Sequence, residues 1–449
     1  MRRWWLAGLA VLVLLGGVGG VLVLRDRGVE VPLVSSSPTA SPDPSRTPLL
    51  QAASTNAPIP SRVGLERALA AVLKAPGLGR RIGLSVLDVE TGSALLEVNA
   101  DQAFVPASTA KIVTAVAALT VLDADQRFTT RVLQGGAGDV VLVGAGDPAL
   151  AGQHAATGFP RPARLVDLAA QLKSVLVRRV LVEDGLFTGP RLGPAWKPGY
   201  VTSGDVAPVS ALEADGGRSS TKKNQPRLRD PALDAGRQLA ALLHVRTVLR
   251  GSAPVGAAVL AHVDSPPVAD LVEAMLTRSD NDVAEALGRQ VALVTTQPAT
   301  FAGEAAAITA VLEPLLARAG VARGSVALRD ASGLSPLDRL RPGALTRLLS
   351  LVGRDGRYAP ILSGLPVAGF DGTLQNRYRK PPSSAAAGEI RAKTGTLDGV
   401  SALAGLVRTR SGRLLAFDLT ADGVSLTGTL QAQAALDKVA AVLASCGCT

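Results

Sequence analysis

The sequence predicts an α+β fold, and three observations predict it. Apolar or alternating runs bounded by turn residues cluster at both ends of the body, at 82–88 and 93–98, then at 389–396, 401–407 and 414–419. Helix-type apolar periodicity opens the body at 65–74 and closes it at 426–443. Between these ends lie a mixed stretch, about 125–260, and a mostly helical one, about 265–355. Five strands and two helices drawn from distant parts of one chain describe helices flanking an antiparallel sheet.

Ahead of the body, Met1-Arg2-Arg3 precedes an uncharged run over residues 4–24, closed by Arg25-Asp26-Arg27. Such a run is long enough to cross a bilayer core of about 30 Å as a helix. The leading arginines place the N-terminus inside and the body outside. The run is read as a retained anchor, since it is long for a signal core and carries no Ala-x-Ala. A cleaved signal peptide ending near Val18-Gly19-Gly20 is the alternative, and either one exports the body. Residues 1–27 are therefore assigned to an anchor or signal segment. Residues 28–62, rich in Ser and Pro, lack the apolar side chains to offset their ordering entropy and read as a disordered tether.

The opening helix leads into a hairpin that turns at Glu90-Thr91-Gly92. An apolar helix then begins at Ser108-Thr109-Ala110-Lys111, with Pro106 just before its start. Ser108 and Lys111, three apart, share a helical face. A serine hydroxyl needs a base to become a nucleophile, and a lysine can supply one if burial lowers its pKa. Taken alone, Ser108 reads equally well as a plain N-cap. Further on, Ser279-Asp280-Asn281 joins two helical stretches. It offers a hydroxyl that can relay a proton and an amide that can donate and accept, though the same composition fits a capping turn. Lys393-Thr394-Gly395, followed by Thr396, is read as ending the strand that begins at 389. A cation and a hydroxyl there suit a carboxylate, and Gly395 admits a close backbone.

Composition narrows the classes. Of 449 residues, 47% are hydrophobic and 19% charged, which supports a sizeable core and more than one domain. The net charge is +10, yet Arg and Lys are not interleaved with aromatics, which are only 3%, and this argues against nucleic-acid binding. The two cysteines, Cys446 and Cys448, cannot build a disulfide framework, and a bond between them would close a very small ring. The three histidines (His154, His244 and His262) form no zinc-ligand spacing, so no metal and no organic cofactor is expected.

Ser-x-x-Lys, Ser-Asp-Asn and Lys-Thr-Gly in this order are the signature of penicillin-binding proteins and class A β-lactamases. The long stretch between Lys111 and Ser279 resembles the class C low-molecular-mass penicillin-binding proteins, D-alanyl-D-alanine carboxypeptidase/endopeptidases with extra domains inserted there. Gly144-Ala145-Gly146-Asp147-Pro148, Ala207-Pro208-Val209-Ser210-Ala211-Leu212, Asp330-Ala331-Ser332-Gly333-Leu334-Ser335 and Leu365-Pro366-Val367-Ala368-Gly369 extend the resemblance from about residue 65 to the end. It implies a five-stranded antiparallel sheet flanked by helices, a helical subdomain and an inserted domain. The catalytic domain would comprise residues 63–124 and 262–449, and the insert residues 125–261. The insert looks shorter than is usual in that family, so one inserted domain is expected. The family often has Arg after Ser-Gly-Leu-Ser; here that position is Pro336, with Arg339 as a candidate stand-in.

The resemblance also implies roles. Ser108 would attack the D-Ala-D-Ala carbonyl, with Lys111 as base and Ser279 as proton relay. Asn281, Lys393, Thr394, Gly395 and Thr396 would bind substrate, with the N–H groups of Ser108 and Thr396 as the oxyanion hole. Asp147 would meet the ammonium of a diaminopimelate side chain, although an Asp before Pro also simply shapes a turn. Expected partners are peptidoglycan stem peptides, β-lactams as covalent inhibitors, and the membrane through residues 4–24. The rivals are a β-lactamase, for which Glu313 would be the deacylating base although Ala317 stands where its Asn partner belongs, and a non-catalytic wall-binding relative.

Overall fold

The computed structural model describes residues 56–152, 159–220 and 225–448. The apolar run at 4–24 and most of the tether lie outside the described residues; residues 46–449 form one compact unit. Among the described residues no helix is long and apolar enough to cross a membrane.

In chain order the body begins with α1 (Arg62–Leu69), the hairpin β1 (Arg81–Asp88) and β2 (Ala94–Val98), and α2 (Ala110–Val121). There follow β3 (Thr129–Gln134), β4 (Asp139–Val143), α3 (Leu165–Gln171), β5 (Arg179–Glu183), α4 (Tyr200–Ser203), α5 (Pro231–Leu242), β6 (Thr247–Arg250) and β7 (Val259–Asp264). Helices α6 (Val268–Arg278), α7 (Asn281–Val294) and α8 (Phe301–Arg318) come next. The short pair β8 (Val326–Ala327) and β9 (Arg339–Leu340), α9 (Pro342–Arg354) and α10 (Ala359–Gly364) lead to β10 (Ile390–Leu397), β11 (Val400–Arg408), β12 (Leu414–Asp422) and α11 (Thr429–Ser445).

The main sheet has the order β10-β11-β12-β1-β2 and is antiparallel throughout. Strand β1 pairs with β12 from Arg81↔Asp422 to Asp88↔Leu415, so the two ends of the body close on each other. Side chains alternate across the sheet, as the pleat requires. Leu403, Val407, Phe417 and Leu419 face α1 and α11 (Leu65, Leu436, Val439, Leu443). Ala404, Leu406 and Ala416 face α2 and α9 (Val113, Leu345, Leu348, Leu349). Burial on both faces explains why β11 reads as a continuous apolar run. Helix α2 is itself buried on all sides, packed among α6, α7 and α8, which matches its near-absence of polar residues.

A second five-stranded sheet, β6-β5-β4-β3-β7, takes all its strands from between Thr129 and Asp264. It is mixed, with β4, β5 and β6 parallel and β3 antiparallel to β4 and β7. Helices α3 and α5 cover one face, Leu165, Leu168 and Leu239 packing on Val140, Leu142, Val180 and Val182.

Three sequence expectations are corrected. The tether does not reach residue 62: Ala57 is buried, the Ser61 N–H donates to the Cys448 carbonyl at 2.6 Å and Arg62 opens α1, so residues 56–62 belong to the body. The opening helix is α1 alone; it starts where the Ser61 hydroxyl accepts the Gly64 N–H and stops at Leu69, with 3-10 turns at Val72–Lys74 and Pro76–Leu78. Lys393-Thr394-Gly395 does not end a strand but lies inside β10, because Thr394 and Gly395 find ladder partners in Leu403 and Ala402. The structure joins Cys446 and Cys448 in a disulfide just after α11.

Candidate active site

Ser108 lies in a 3-10 turn, Ala107–Thr109, that runs directly into α2. Ala107 has a left-handed backbone (φ 48), and this tight entry delivers the Ser108 side chain to the helix start. One turn on, Lys111 Nζ donates to Ser108 Oγ at 3.1 Å. It also donates to Asn281 Oδ1 and to the Ser332 carbonyl, both at 2.6 Å. Because Asn281 Nδ2 must donate to the Asp205 carbonyl (2.9 Å), the orientation of its amide is fixed and the oxygen faces Lys111.

Ser279 caps α6 in the left-handed region (φ 58), and this turn swings its side chain toward β10. Lys393 Nζ donates to Ser279 Oγ at 2.8 Å and to the Thr394 carbonyl at 2.9 Å. Asp280 is the N-cap of α7, its Oδ1 accepting the N–H groups of Asp282 and Val283. The Ser-Asp-Asn segment is therefore both a capping turn and part of the cluster. The two readings of the sequence do not exclude each other.

Strand β10 is an edge of the main sheet, and its outward groups are usable. Ala392 N donates to Pro366 O and Ala368 N to Ile390 O, so the even-numbered residues turn N–H and C=O away from β11. By the alternation of an antiparallel pair, the Thr396 N–H points to that same outer side, beyond the Thr394 carbonyl held by Lys393. A Cβ on Gly395 would lie 2.7 Å from the Pro106 carbonyl, so only glycine lets the strand press against the turn that carries Ser108. Thr394 Oγ1 donates to Thr373 Oγ1 at 2.8 Å, and Gln433 Nε2 to Thr396 Oγ1 at 3.4 Å.

Both lysines are fully buried, and burial disfavours the charged form. Lys111 is pulled down to about 8 by desolvation, against the pull of the Asp330, Glu285, Asp280 and Asp282 carboxylates. Lys393 is pulled well below the ordinary lysine range by desolvation and then by the charge of Lys111. Among the described residues no group of His, Cys, Asp and Glu could hold a metal ion.

The structure thus brings Ser108, Lys111, Ser279, Asn281, Lys393, Thr394, Gly395 and Thr396 around one place. Asp147 is placed differently. It is 3% exposed, and its Oδ1 accepts the Ala149 N–H at 2.8 Å, the bond of a turn. Burial pushes its carboxyl up to about 7. The preceding Ala145 carbonyl is held by Gln290, which lies about 13 Å along α7 from Asn281. Arg339, the candidate stand-in at Pro336, turns back onto the carbonyls of Pro336 and Asp338. Glu313, on α8, faces Arg323 at 4.0 Å, and among the described residues no hydrogen bond or ion pair ties it to the cluster.

Further contacts complete the arrangement: the Ser332 and Asp205 carbonyls, and the bond from Trp196 Nε1 to Asp330 Oδ2 (2.7 Å). Asp330 and Ser332 lie in the Asp330–Ser335 segment singled out in the sequence, though without a role, whereas Asp205 and Trp196 carried no signal. Beside the cluster is a groove of about 590 Å³, lined by Lys197, Tyr200, Thr202, Ser203, Asp205 and Asp398, where Lys197 and Asp398 form an ion pair.

Known proteins resemble the chain over most of its length. The D-Ala-D-Ala carboxypeptidase 3 (S13) family model matches residues 65–228 and 218–443. The chain is 39% identical to carboxypeptidase DacB of Mycolicibacterium smegmatis over 398 residues, covering 86% of this chain and 85% of that one. It is 28% identical to a D-alanyl-D-alanine carboxypeptidase of an Actinomadura species over 459 residues, 83% of each chain. The crystal structure of penicillin binding protein 4 from Haemophilus influenzae has the same fold, with a TM-score of 0.67 at 23% identity over 82% of this chain and 97% of that one. The same Haemophilus protein complexed with a β-lactam gives a TM-score of 0.63 at 22% identity, over 83% and 97%. With a family model spanning almost the whole body, the chain belongs to the D-Ala-D-Ala carboxypeptidase 3 (S13) family, is a class C low-molecular-mass penicillin-binding protein, and is a serine peptidase.

Proposed function

We propose that the protein hydrolyses the D-Ala-D-Ala linkage of peptidoglycan stem peptides through an acyl-enzyme on Ser108, and that β-lactams trap this intermediate. The observation that carries the reading is the arrangement around Lys111 Nζ. Two of its three neighbours, Asn281 Oδ1 and the Ser332 carbonyl, can only accept. A neutral Lys111 keeps its two hydrogens on them, and its lone pair is left facing the Ser108 hydroxyl. Lys111 then takes the Ser108 proton as Oγ attacks the peptide carbonyl. The oxyanion draws on the N–H groups of Ser108 and Thr396, each such donor typically worth about 10²–10³ in rate. The C–N bond breaks as Ser279 passes a proton to the departing D-Ala amine, and water releases the acyl group. Lys393, with Thr394 and Thr396, receives the terminal carboxylate; an opposite charge there restores the ammonium form that burial disfavours.

The substrate places the enzyme outside the cytoplasm; residues 4–24 are proposed to hold it to the membrane, or to be removed as a signal peptide, with the Ser/Pro-rich residues from 28 up to the body as a spacer. Residues 125–261 are proposed to form an inserted domain, a reading supported by a second sheet whose strands run from Thr129 to Asp264, three residues past that boundary. Asp147 is proposed to read the ammonium of the third stem residue, supported by its buried, unpartnered Oδ2.

One digestion tests these assignments. Purified peptidoglycan and a pentapeptide ending in D-Ala-D-Ala should release D-Ala with the wild-type protein and none with Ser108→Ala; equal release by both overturns the reading. Split cross-links in the same digest distinguish endopeptidase from carboxypeptidase. Asp147→Asn should slow the ammonium-bearing peptide while sparing benzylpenicillin acylation. An equal loss on both, with a lower melting temperature, means that Asp147 only holds its turn.

A further inference from the structure

The bond from Lys111 to the Ser332 carbonyl has a second end. That carbonyl belongs to the peptide group whose N–H is on Gly333, and the Gly333 N–H donates to Asp330 Oδ1 at 2.7 Å. Lys111, one peptide group and one carboxylate thus form a single hydrogen-bonded line. Asp330 is completely buried and holds two more donors on its other oxygen, the Ser335 N–H and the Trp196 indole, both at 2.7 Å. Three donors on one carboxylate fix it in place. The line is also closely packed, since a Cβ on Gly333 would collide with the Ala107 carbonyl in the turn that carries Ser108.

We propose that Asp330 is a positioning residue for the Ser108–Lys111 pair, acting on Lys111 through the Ser332–Gly333 peptide group. This rests on the assignment of Ser108 as nucleophile. A peptide dipole whose N–H meets an anion is polarised, and its carbonyl becomes a stronger acceptor. The Lys111 hydrogen is thereby held on Ser332, and the lone pair stays aimed at Ser108. The charge of Asp330 also favours the ammonium form, so it sets the pH at which Lys111 becomes a base.

Other titratable groups face this line, and all but Asp338 are common to every variant below. Lys393 approaches from β10, and Asp280, Asp282 and Glu285 from α7. Glu285 accepts the Ser332 N–H at 2.9 Å and is pushed up to about 7 by burial, beside Glu304 and Arg289. Asp338 sits against Asp330, its carboxyl raised by burial and by Asp330 itself, so it is neutral.

The test is the pH dependence of Ser108 acylation by benzylpenicillin, followed by intact mass on the full-length protein. Asp330→Asn removes the charge and puts an amide among three donors. The midpoint of the rising limb should fall by roughly one pH unit, the scale of losing a nearby opposite charge. The plateau rate should fall about 10- to 100-fold as the lone pair loses its aim. Thr114→Val is the comparison: the Thr114 hydroxyl donates to the Ala331 carbonyl at 2.6 Å, so its loss loosens the same loop without changing charge. It should slow acylation with no shift in midpoint. An Asp330→Asn midpoint equal to wild type, with the rate lowered as in Thr114→Val, overturns the proposal. If Asp330→Asn does not fold, Asp338→Ala decides. It withdraws the neutral carboxyl that shares Asp330's charge, and the midpoint should rise; an unchanged or lower midpoint overturns the proposal. If wild type itself carries no adduct on Ser108, the nucleophile assignment fails, and this inference falls with it.

Discussion

Lys111 shows how one side chain acquires a function from its surroundings. A lysine in water is charged at neutral pH and useless as a base; burial here lowers it to about 8. The sign of the consequence is fixed: the neutral form is the base, so acylation of Ser108 should rise with pH through about 8. Lys111→Met should remove that limb and lower the rate by about 10²–10⁴, the usual contribution of a general base. A profile flat from pH 6 to 9 in the wild type would rule Lys111 out as the titrating base. The same residue marks the limit of what the sequence discloses. Ser108 and Lys111 are legible because three residues on a helix share a face. Asn281, Ser332 and Asp205 close the arrangement from distant parts of the chain, two of them through carbonyls that every residue type possesses. Glu285, Glu304 and Asp338 carry no local signal in the sequence, yet all three are buried.

Among the elements, β10 matters most, because it is an edge strand whose outer side is put to use rather than protected. The strands of the main sheet were readable to within three residues, since each is an apolar run bounded by turns, and the run at 389–396 lies within one residue of β10. What the run does not disclose is that Lys393-Thr394-Gly395 sits inside the ladder, with Ala402 and Leu403 opposite. The place of Gly395 predicts a specific failure. Gly395→Val must push β10 off the Pro106 carbonyl, an overpacking worth about 1–3 kcal/mol in stability. It also moves the Thr396 N–H, so acylation should fall by about 10²–10³. Denaturant unfolding and acylation rates on one sample check both; wild-type acylation in a destabilised variant would show that the Thr396 N–H takes no part.

At the scale of the whole molecule, the segment between α4 and α5 is tied to the start of α7 by a buried ion pair. Arg227 meets Asp282 at 2.7 Å, both side chains 4% exposed, and Asp282 also accepts the Ala207 N–H. Asp282 directly follows Asn281, so this pair anchors the start of α7. Arg227→Met leaves Asp282 buried without its partner and should cost about 3–5 kcal/mol, as breaking a buried pair does. A loss under about 1 kcal/mol by urea unfolding would mean that the pair contributes little. The sequence disclosed the mixed composition of this region but not the tie, because a pair separated by more than fifty positions leaves no periodic trace.

Most of the chemistry proposed above depends on Ser108 being the acylated residue, and one measurement tests that directly. Purified protein incubated with benzylpenicillin at pH 8 should gain the mass of one intact penicillin, and digestion should place it on the peptide containing Ser108. Ser108→Ala should gain nothing. An adduct that persists in Ser108→Ala, or maps to another serine, would contradict the assignment.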